Sequence, residues 1–161
     1  MTQRTPAVHL RPAADEDIPF LLELRRQTMT GHQLASGAEA SERERHDRVL
    51  YRFECAQVIL SDHVPVGILK LSKDALDWQL VQIQLTPALQ SRGIGTTLIE
   101  GVIADARAAG ASLRLNVLRA NPARRLYERL GFRVEKEGPH EHEMRLGVLP
   151  GAESSGPRLG A

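Results

Sequence analysis

The chain has 161 residues, of which 25% are charged, and its 21 lysines and arginines nearly balance 20 aspartates and glutamates, for a formal net charge of +1. That length suits one domain burying roughly two-thirds of its unfolded surface, and the balanced charge sets up no field to draw nucleic acid or an anionic membrane. Lone Cys55 excludes an internal disulfide, the start MTQRTPAVHL has no apolar leader, and no apolar run approaches the ~20 residues of a membrane span, so a reducing, cytoplasmic setting is expected.

Residues 8–11 read as a short first strand, followed by Asp15-Glu16-Asp17, an acidic start that suits the positive end of a helix. Phe20, Leu21, Leu24 and Met29 then recur at roughly helical spacing, and residues 31–37 break the pattern. Residues 38–50, dominated by SERERHDR, read as a second helix with a solvated face. Beyond Tyr51 the period changes. Residues 55–60, 66–71 and 76–85 are strand candidates, with turns at Ser61-Asp62-His63 and Lys73-Asp74, and together suggest an antiparallel meander. The third alternates Leu80, Gln82 and Gln84 against Val81, Ile83 and Leu85, which predicts two faces of different wetness.

A glycine loop follows, then a helix with an apolar face of Ile94, Leu98, Ile99, Val102, Ile103 and Ala106, stopped at Gly110. Leu113, Leu115 and Val117 mark the next strand. Asn121-Pro122 opens another helix, with Ala123, Leu126, Tyr127 and Leu130 as its buried stripe and Gly131 at its end. Residues 132–136 and 141–146 read as a last hairpin, and residues 149–161 as a disordered tail rich in Gly, Ser and Pro. Residues 76–117 form one β-α-β crossover joining parallel neighbours. With hairpins on both sides the sheet is mixed, and the expected class is α/β (α+β), with one domain over residues 1–148.

The stretch LTPALQSRGIGTTL, residues 85–98, carries the most chemistry. Glycines where a helix begins leave backbone amides open to a phosphate. A Walker loop would need Lys before Ser or Thr, yet Gly95 is followed by Thr96-Thr97. A dinucleotide fingerprint would need glycine where Leu98 stands, and an acid near Val117 and Leu118. Neither fits.

The stretch Gln90-Ser91-Arg92-Gly93-Ile94-Gly95 resembles the Gln/Arg-x-x-Gly-x-Gly/Ala signature of the GNAT superfamily of acyl-CoA-dependent N-acyltransferases, and NPARRLYERLGF, residues 121–132, is similar to the family's asparagine helix with its Tyr and Gly-Phe. The resemblance spans roughly residues 8–146. It implies a mixed central sheet flanked by helices, whose fourth and fifth strands splay to admit a pantetheine arm, and acetyl-CoA as acyl donor with no metal. It implies that Gly93 and Gly95 open backbone amides to the pyrophosphate, with Gln90, Ser91, Arg92, Ile94 and Thr96 in the same wall. Arg92 either adds charge near a phosphate or is simply solvated.

By the same resemblance, Ile83, Gln84 and Leu85 pair with the pantetheine arm through main-chain groups, much as a strand is added to a sheet edge, and donors there stabilise the tetrahedral intermediate. Asn121 either only caps its helix or also faces that arm. Tyr127 protonates the departing thiolate, a step open to a phenol with a reference pKa of about 10. The acceptor is a small-molecule or peptide amine attacking directly, and homodimers are an assembly state the family uses.

The general base is not visible: residues 80–85 offer only Gln82 and Gln84, leaving a water relay or a residue from elsewhere, such as Asp77, Glu54 or His140. Cys55 reads as a buried strand residue. His140 and His142 alternate like same-face strand residues, a spacing that could hold a metal, but no third ligand accompanies them. Arg43 and His46 sit where relatives shape an acceptor pocket. A catalytically silent domain that binds CoA as a sensor or partner module is the alternative to an N-acetyltransferase.

Overall fold

The computed structural model describes residues 7–28, 41–90, 92–119 and 121–147. Met29, the break at residues 31–37, the first residues of the expected second helix, Ser91 and the expected tail at 149–161 lie outside them.

Strand β1 (Val8–Pro12) runs into a single 3-10 turn, Asp15–Asp17, and then helix α1 (Ile18–Thr28). Asp17 holds this junction. Its carboxylate accepts from both terminal nitrogens of Arg11 at 2.9 and 2.8 Å, and from the Ala14 amide at 2.8 Å. Helix α2 (Glu42–Leu50) starts at Ser41, whose hydroxyl accepts from the Glu44 amide at 3.1 Å, a standard N-cap. The apolar residues of α1 and α2 meet on one face of the sheet, where Leu21, Leu24, Val49, Ala56 and Ile68 form one buried cluster.

The meander is present as β2 (Ala56–Ser61), β3 (Val64–Asp74) and β4 (Asp77–Leu85). The second turn lies two residues later than expected, at Ala75-Leu76. Lys73 and Asp74 pair with Trp78 and Asp77, and Ala75 takes the left-handed conformation at φ 51° that closes a two-residue turn. Cys55 is not in a strand: it ends the 3-10 turn Phe53–Cys55 and is half-buried.

Helix α3 (Ile94–Ala109) crosses to β5 (Ser112–Leu118), which lies parallel to β4. A short helix, α4 (Ala123–Arg129), leads to the hairpin β6 (Arg133–Glu137) and β7 (Glu141–Leu146). Among the described residues the seven strands form one mixed sheet in the order β1-β2-β3-β4-β5-β7-β6, an α/β architecture with a single crossover. The second face carries the larger core, in which Ile99, Val102 and Ile103 of α3 pack with Leu80, Leu113, Leu115 and Met144 of the sheet. No helix of the described residues is long and apolar enough to cross a membrane.

Two features of β4 prepare the site. Its pairing with β5 stops after four residues, from Asp77 opposite Ser112 to Leu80 opposite Leu115, so residues 81–85 have no strand on that side among the described residues. Val81 is the extra residue of a β-bulge, for Leu71 pairs with Leu80 while Lys70 pairs with Gln82. A bulge bends its strand and raises its twist, and this one sits where β4 leaves β5. It also breaks the alternation expected from sequence. Leu80 joins Ile83 and Leu85 against the α3 core, while Gln82 and Gln84 face the other way, with Ile68 and Lys70. The closed end of the β4–β5 pair is held by Asp77, which accepts from Arg145 at 2.9 Å and Arg114 at 3.3 Å.

Candidate active site

Where β4 and β5 part, a cavity of about 440 Å³ opens. Its walls include Gln82, Ile83 and Gln84 of β4, Leu115 to Leu118 of β5, Asn121 and Tyr127 of the α4 segment, and Arg25, Arg48 and Lys70 from the α1/α2 face. The opening therefore touches elements packed on both faces of the sheet.

Beyond β4 the chain turns through Pro87–Leu89, and Gln90 Nε2 donates to the Leu85 carbonyl at 3.0 Å. Gly93 then takes φ 81°, ψ −1°, a conformation that penalises any side chain. Helix α3 starts here with no side-chain cap, and its first intrahelical bond runs from Thr97 N–H to the Gly93 carbonyl at 3.0 Å. The amides of Ile94, Gly95 and Thr96 are thus left without helical partners, at the positive end of a sixteen-residue helix. A Cβ on Gly95 would meet nothing nearer than Leu85 Cδ1 at 3.9 Å, so packing does not demand glycine there. The bare backbone leaves that space open, and amides at a helix N-terminus can hold an anion. Ile94 is buried in the core, leaving only its amide for a ligand, and the Arg92 side chain is exposed.

Ile83 and Gln84 line the cavity; Leu85 does not, and its carbonyl is already engaged by Gln90. Tyr127 is 9% exposed, and its ring meets Phe132 edge-on at 5.8 Å. Its hydroxyl makes no hydrogen bond to another described residue. Burial pushes the phenol up to about 12, so it is a proton donor at neutral pH. Asn121 Oδ1 accepts from the Ala123 amide at 2.9 Å at the start of α4, and the residue lines the cavity.

Asp77 is taken up by its two arginines, Glu54 pairs with Arg52 at 3.1 Å, and His140 is exposed; none lines the cavity. The carboxylate that does is Glu141 of β7, which accepts from Asn116 Nδ2 at 3.0 Å. Arg43 and His46 are exposed on α2 and do not line this cavity, whereas Arg25 and Arg48 do. His142 is buried in β7 while His140 precedes the strand, so the two do not share a strand face. No three His, Cys, Asp or Glu side chains converge as a metal set among the described residues.

Lys70 was missed and had a signal, since it interrupts the apolar run VGILKLS. It is fully buried, and Nζ donates to the carbonyls of Arg48, Val49 and Tyr51 at 3.0, 2.9 and 2.6 Å, so it closes the C-terminal end of α2. Burial, with Arg25 nearby, brings it down to about 8.

The family model described as "Acetyltransferase (GNAT) family" matches residues 18–132. An acetyltransferase from Thermus thermophilus is similar at 25% identity and TM-score 0.70, over 91% of this chain and 100% of that one. The PaiA N-acetyltransferase of Thermoplasma acidophilum, solved in complex with coenzyme A, is 19% identical with TM-score 0.69, over 88% and 99% of the two chains. Ard1 from Thermoplasma volcanium is 17% identical with TM-score 0.64, over 89% and 99%. No curated protein sequence matches the chain.

Proposed function

The chain belongs to the acetyltransferase (GNAT) family, and from that premise we propose that it transfers the acetyl group of acetyl-CoA to a primary amine of a small-molecule or peptide acceptor. The observation that carries this reading is the opening between β4 and β5, whose walls hold both the free β4 edge and the unpartnered Tyr127 hydroxyl. The uncapped amides of α3 lie at the end of the same strand, where Gly95 approaches Leu85.

In this reading the amides of Ile94, Gly95 and Thr96 hold the pyrophosphate. Main-chain groups of residues 83–84, with Asn121, hold the pantetheine arm. When bound, acetyl-CoA supplies the activated thioester. Backbone donors on the free β4 edge face the developing oxyanion, an effect worth roughly 10²–10³ in rate for one well-placed donor. Tyr127, kept protonated by burial, gives its proton to the departing sulfur. Glu141, the carboxylate on the cavity wall, receives the amine proton, directly or through water. The coenzyme A bound in the Thermoplasma acidophilum protein supports the choice of donor.

The test pairs calorimetric titration with acetyl-CoA and a CoA-release assay over a broad amine panel. Binding with turnover supports the reading. Binding without turnover of any amine indicates a silent CoA-binding domain, and absence of binding by folded protein removes the cofactor site altogether.

A further inference from the structure

The wall of the cavity supplied by α1, α2 and β3 is rich in donors and short of acceptors. Arg25 is only 7% exposed, lines the cavity, and its Nε finds no partner. Burial together with Arg48 and Arg45 brings its pKa down to about 10, which still leaves it charged at neutral pH. Gln84, 8% exposed, accepts from Gln82 Nε2 at 2.8 Å while its own Nε2 has no acceptor. Lys70 adds charge, but its three donors are spent on carbonyls. Glu141, the acid among the described lining residues, stands on β7, across β5 from this wall, and is bonded to Asn116.

Burying a guanidinium without an acceptor is costly, as is burying an amide that donates to nothing. A cavity that keeps two such groups on one wall is suited to a ligand that brings the acceptors. An anion meets that need, and a planar carboxylate matches the flat fork of a guanidinium. Glu141 lines the same space from β7, on the far side of β5. The two walls together match a molecule carrying an anion at one end and an amine at the other.

We propose that Arg25 and Gln84, with Arg48 at the rim, bind the carboxylate of the acceptor, and that the acceptor is an amino acid whose amino group points toward Glu141 and the β4–β5 opening. This rests on the acetyltransferase reading for the presence of an acceptor, and it adds the acceptor's class. Arg25 is then a specificity determinant that touches substrate away from the reacting atoms.

The experiment compares amino acids with their carboxamides, which keep shape and amine while removing the negative charge. CoA release is measured with both series, and with phosphoethanolamine, for wild type, Arg25→Gln, Arg25→Lys and Arg48→Gln. In parallel, the Tm of each protein in coenzyme A is followed with N-acetyl amino acids and with their amides. The expected result is a kcat/KM at least about tenfold higher for an acid than for its amide. Arg25→Gln should bring that ratio toward one, chiefly through KM, and Arg25→Lys should restore part of it. Arg48→Gln should lower the ratio less, and it carries the test if Arg25→Gln does not fold.

Amides turned over as well as acids would overturn the carboxylate site and leave acetyl transfer standing. No turnover of any amine, with N-acetyl amino acids but not their amides raising Tm through Arg25, would support the site and remove acetyl transfer. Phosphoethanolamine as the preferred acceptor would replace carboxylate by phosphate and sink the proposal. Absence of any distinction between acids and amides in either readout would also overturn it.

Discussion

The side chain of Gln90 donates to the main-chain carbonyl of Leu85 at 3.0 Å, and this bond fastens the glycine loop to the last residue of the free β4 edge. The carbonyl it uses belongs to the part of β4 that has no β5 neighbour. Gln90 thereby sets where α3 starts relative to the opening. In the proposed acetyl-CoA site this bond would position the amides of Ile94, Gly95 and Thr96.

Replacing Gln90 by Glu puts a carboxylate where the Leu85 carbonyl expects a donor. We expect a stability loss of about 1–3 kcal/mol and weaker acetyl-CoA binding, while Gln90→Ala, which leaves a carbonyl that water can reach, should cost only about 1 kcal/mol. Denaturant unfolding and calorimetry of the two variants check this. Equal effects from Glu and Ala would mean that the bond places nothing.

The two loop glycines should behave oppositely. Gly93→Ala forces a side chain to φ 81° and should cost about 1–2 kcal/mol. Gly95→Ala meets only Leu85 Cδ1 at 3.9 Å and replaces a helical glycine, so it should be neutral or stabilise by up to about 1 kcal/mol. Yet Gly95→Ala should weaken acetyl-CoA binding, and Gly95→Glu should abolish it. A folded Gly95→Glu variant that bound acetyl-CoA normally would refute the pyrophosphate assignment.

Tyr127→Phe removes a hydroxyl that bonds to no described residue and keeps the ring packed against Phe132. Thermal stability should change by less than about 1 kcal/mol, whereas kcat should fall by roughly 10²–10⁴ if the phenol is the acid. Because burial raises Tyr127 to about 12, any loss of wild-type activity between pH 8 and 10 must come from another group. Such a limb should therefore persist in Tyr127→Phe.

Lys70→Met strips the donor from three carbonyls at the end of α2 and should destabilise the protein by about 3 kcal/mol at pH 7. The folded pKa of Lys70 lies near 8, below its ordinary 10.5, so between these values the unfolded chain holds the extra proton. Stability therefore rises with pH across that window through this group. The difference in ΔG between wild type and Lys70→Met, measured by urea unfolding from pH 7 to 10.5, should widen toward the alkaline end.

Asp17 works at the acid end. Its hydrogen bonds from Arg11 hold its carboxyl below the usual aspartate range, so its stabilisation is present above about pH 4 and is lost as pH falls through the lower folded value. Asp17→Asn should cost about 1–3 kcal/mol at pH 7 and flatten that acid limb. Unfolding curves between pH 2 and 7 provide the check.

Much of this was readable along the chain because it depends on neighbours in sequence. The apolar spacing of Ile99, Val102 and Ile103 marks the face that α3 buries, Gly110 ends that helix at φ 73°, and Asn121 caps the next, all within a few residues of the signal. The Gln90 to Gly95 run and the helix holding Tyr127 could be matched to the GNAT family's motifs because each is a contiguous stretch of sequence.

The alternation of β4 misled because a period of two holds only for an unbroken strand, and the bulge at Val81 is made by pairing with β3, which no window of β4 contains. The cavity, the convergence of Arg25 and Gln84 on one wall, and the choice of Glu141 as its carboxylate depend on residues far apart in the chain. Their meeting is set by sheet order and by the point at which β4 leaves β5, so only the folded chain decides which donors are left without acceptors. Local signals are written in propensity and periodicity; burial and partnership are properties of the whole packing.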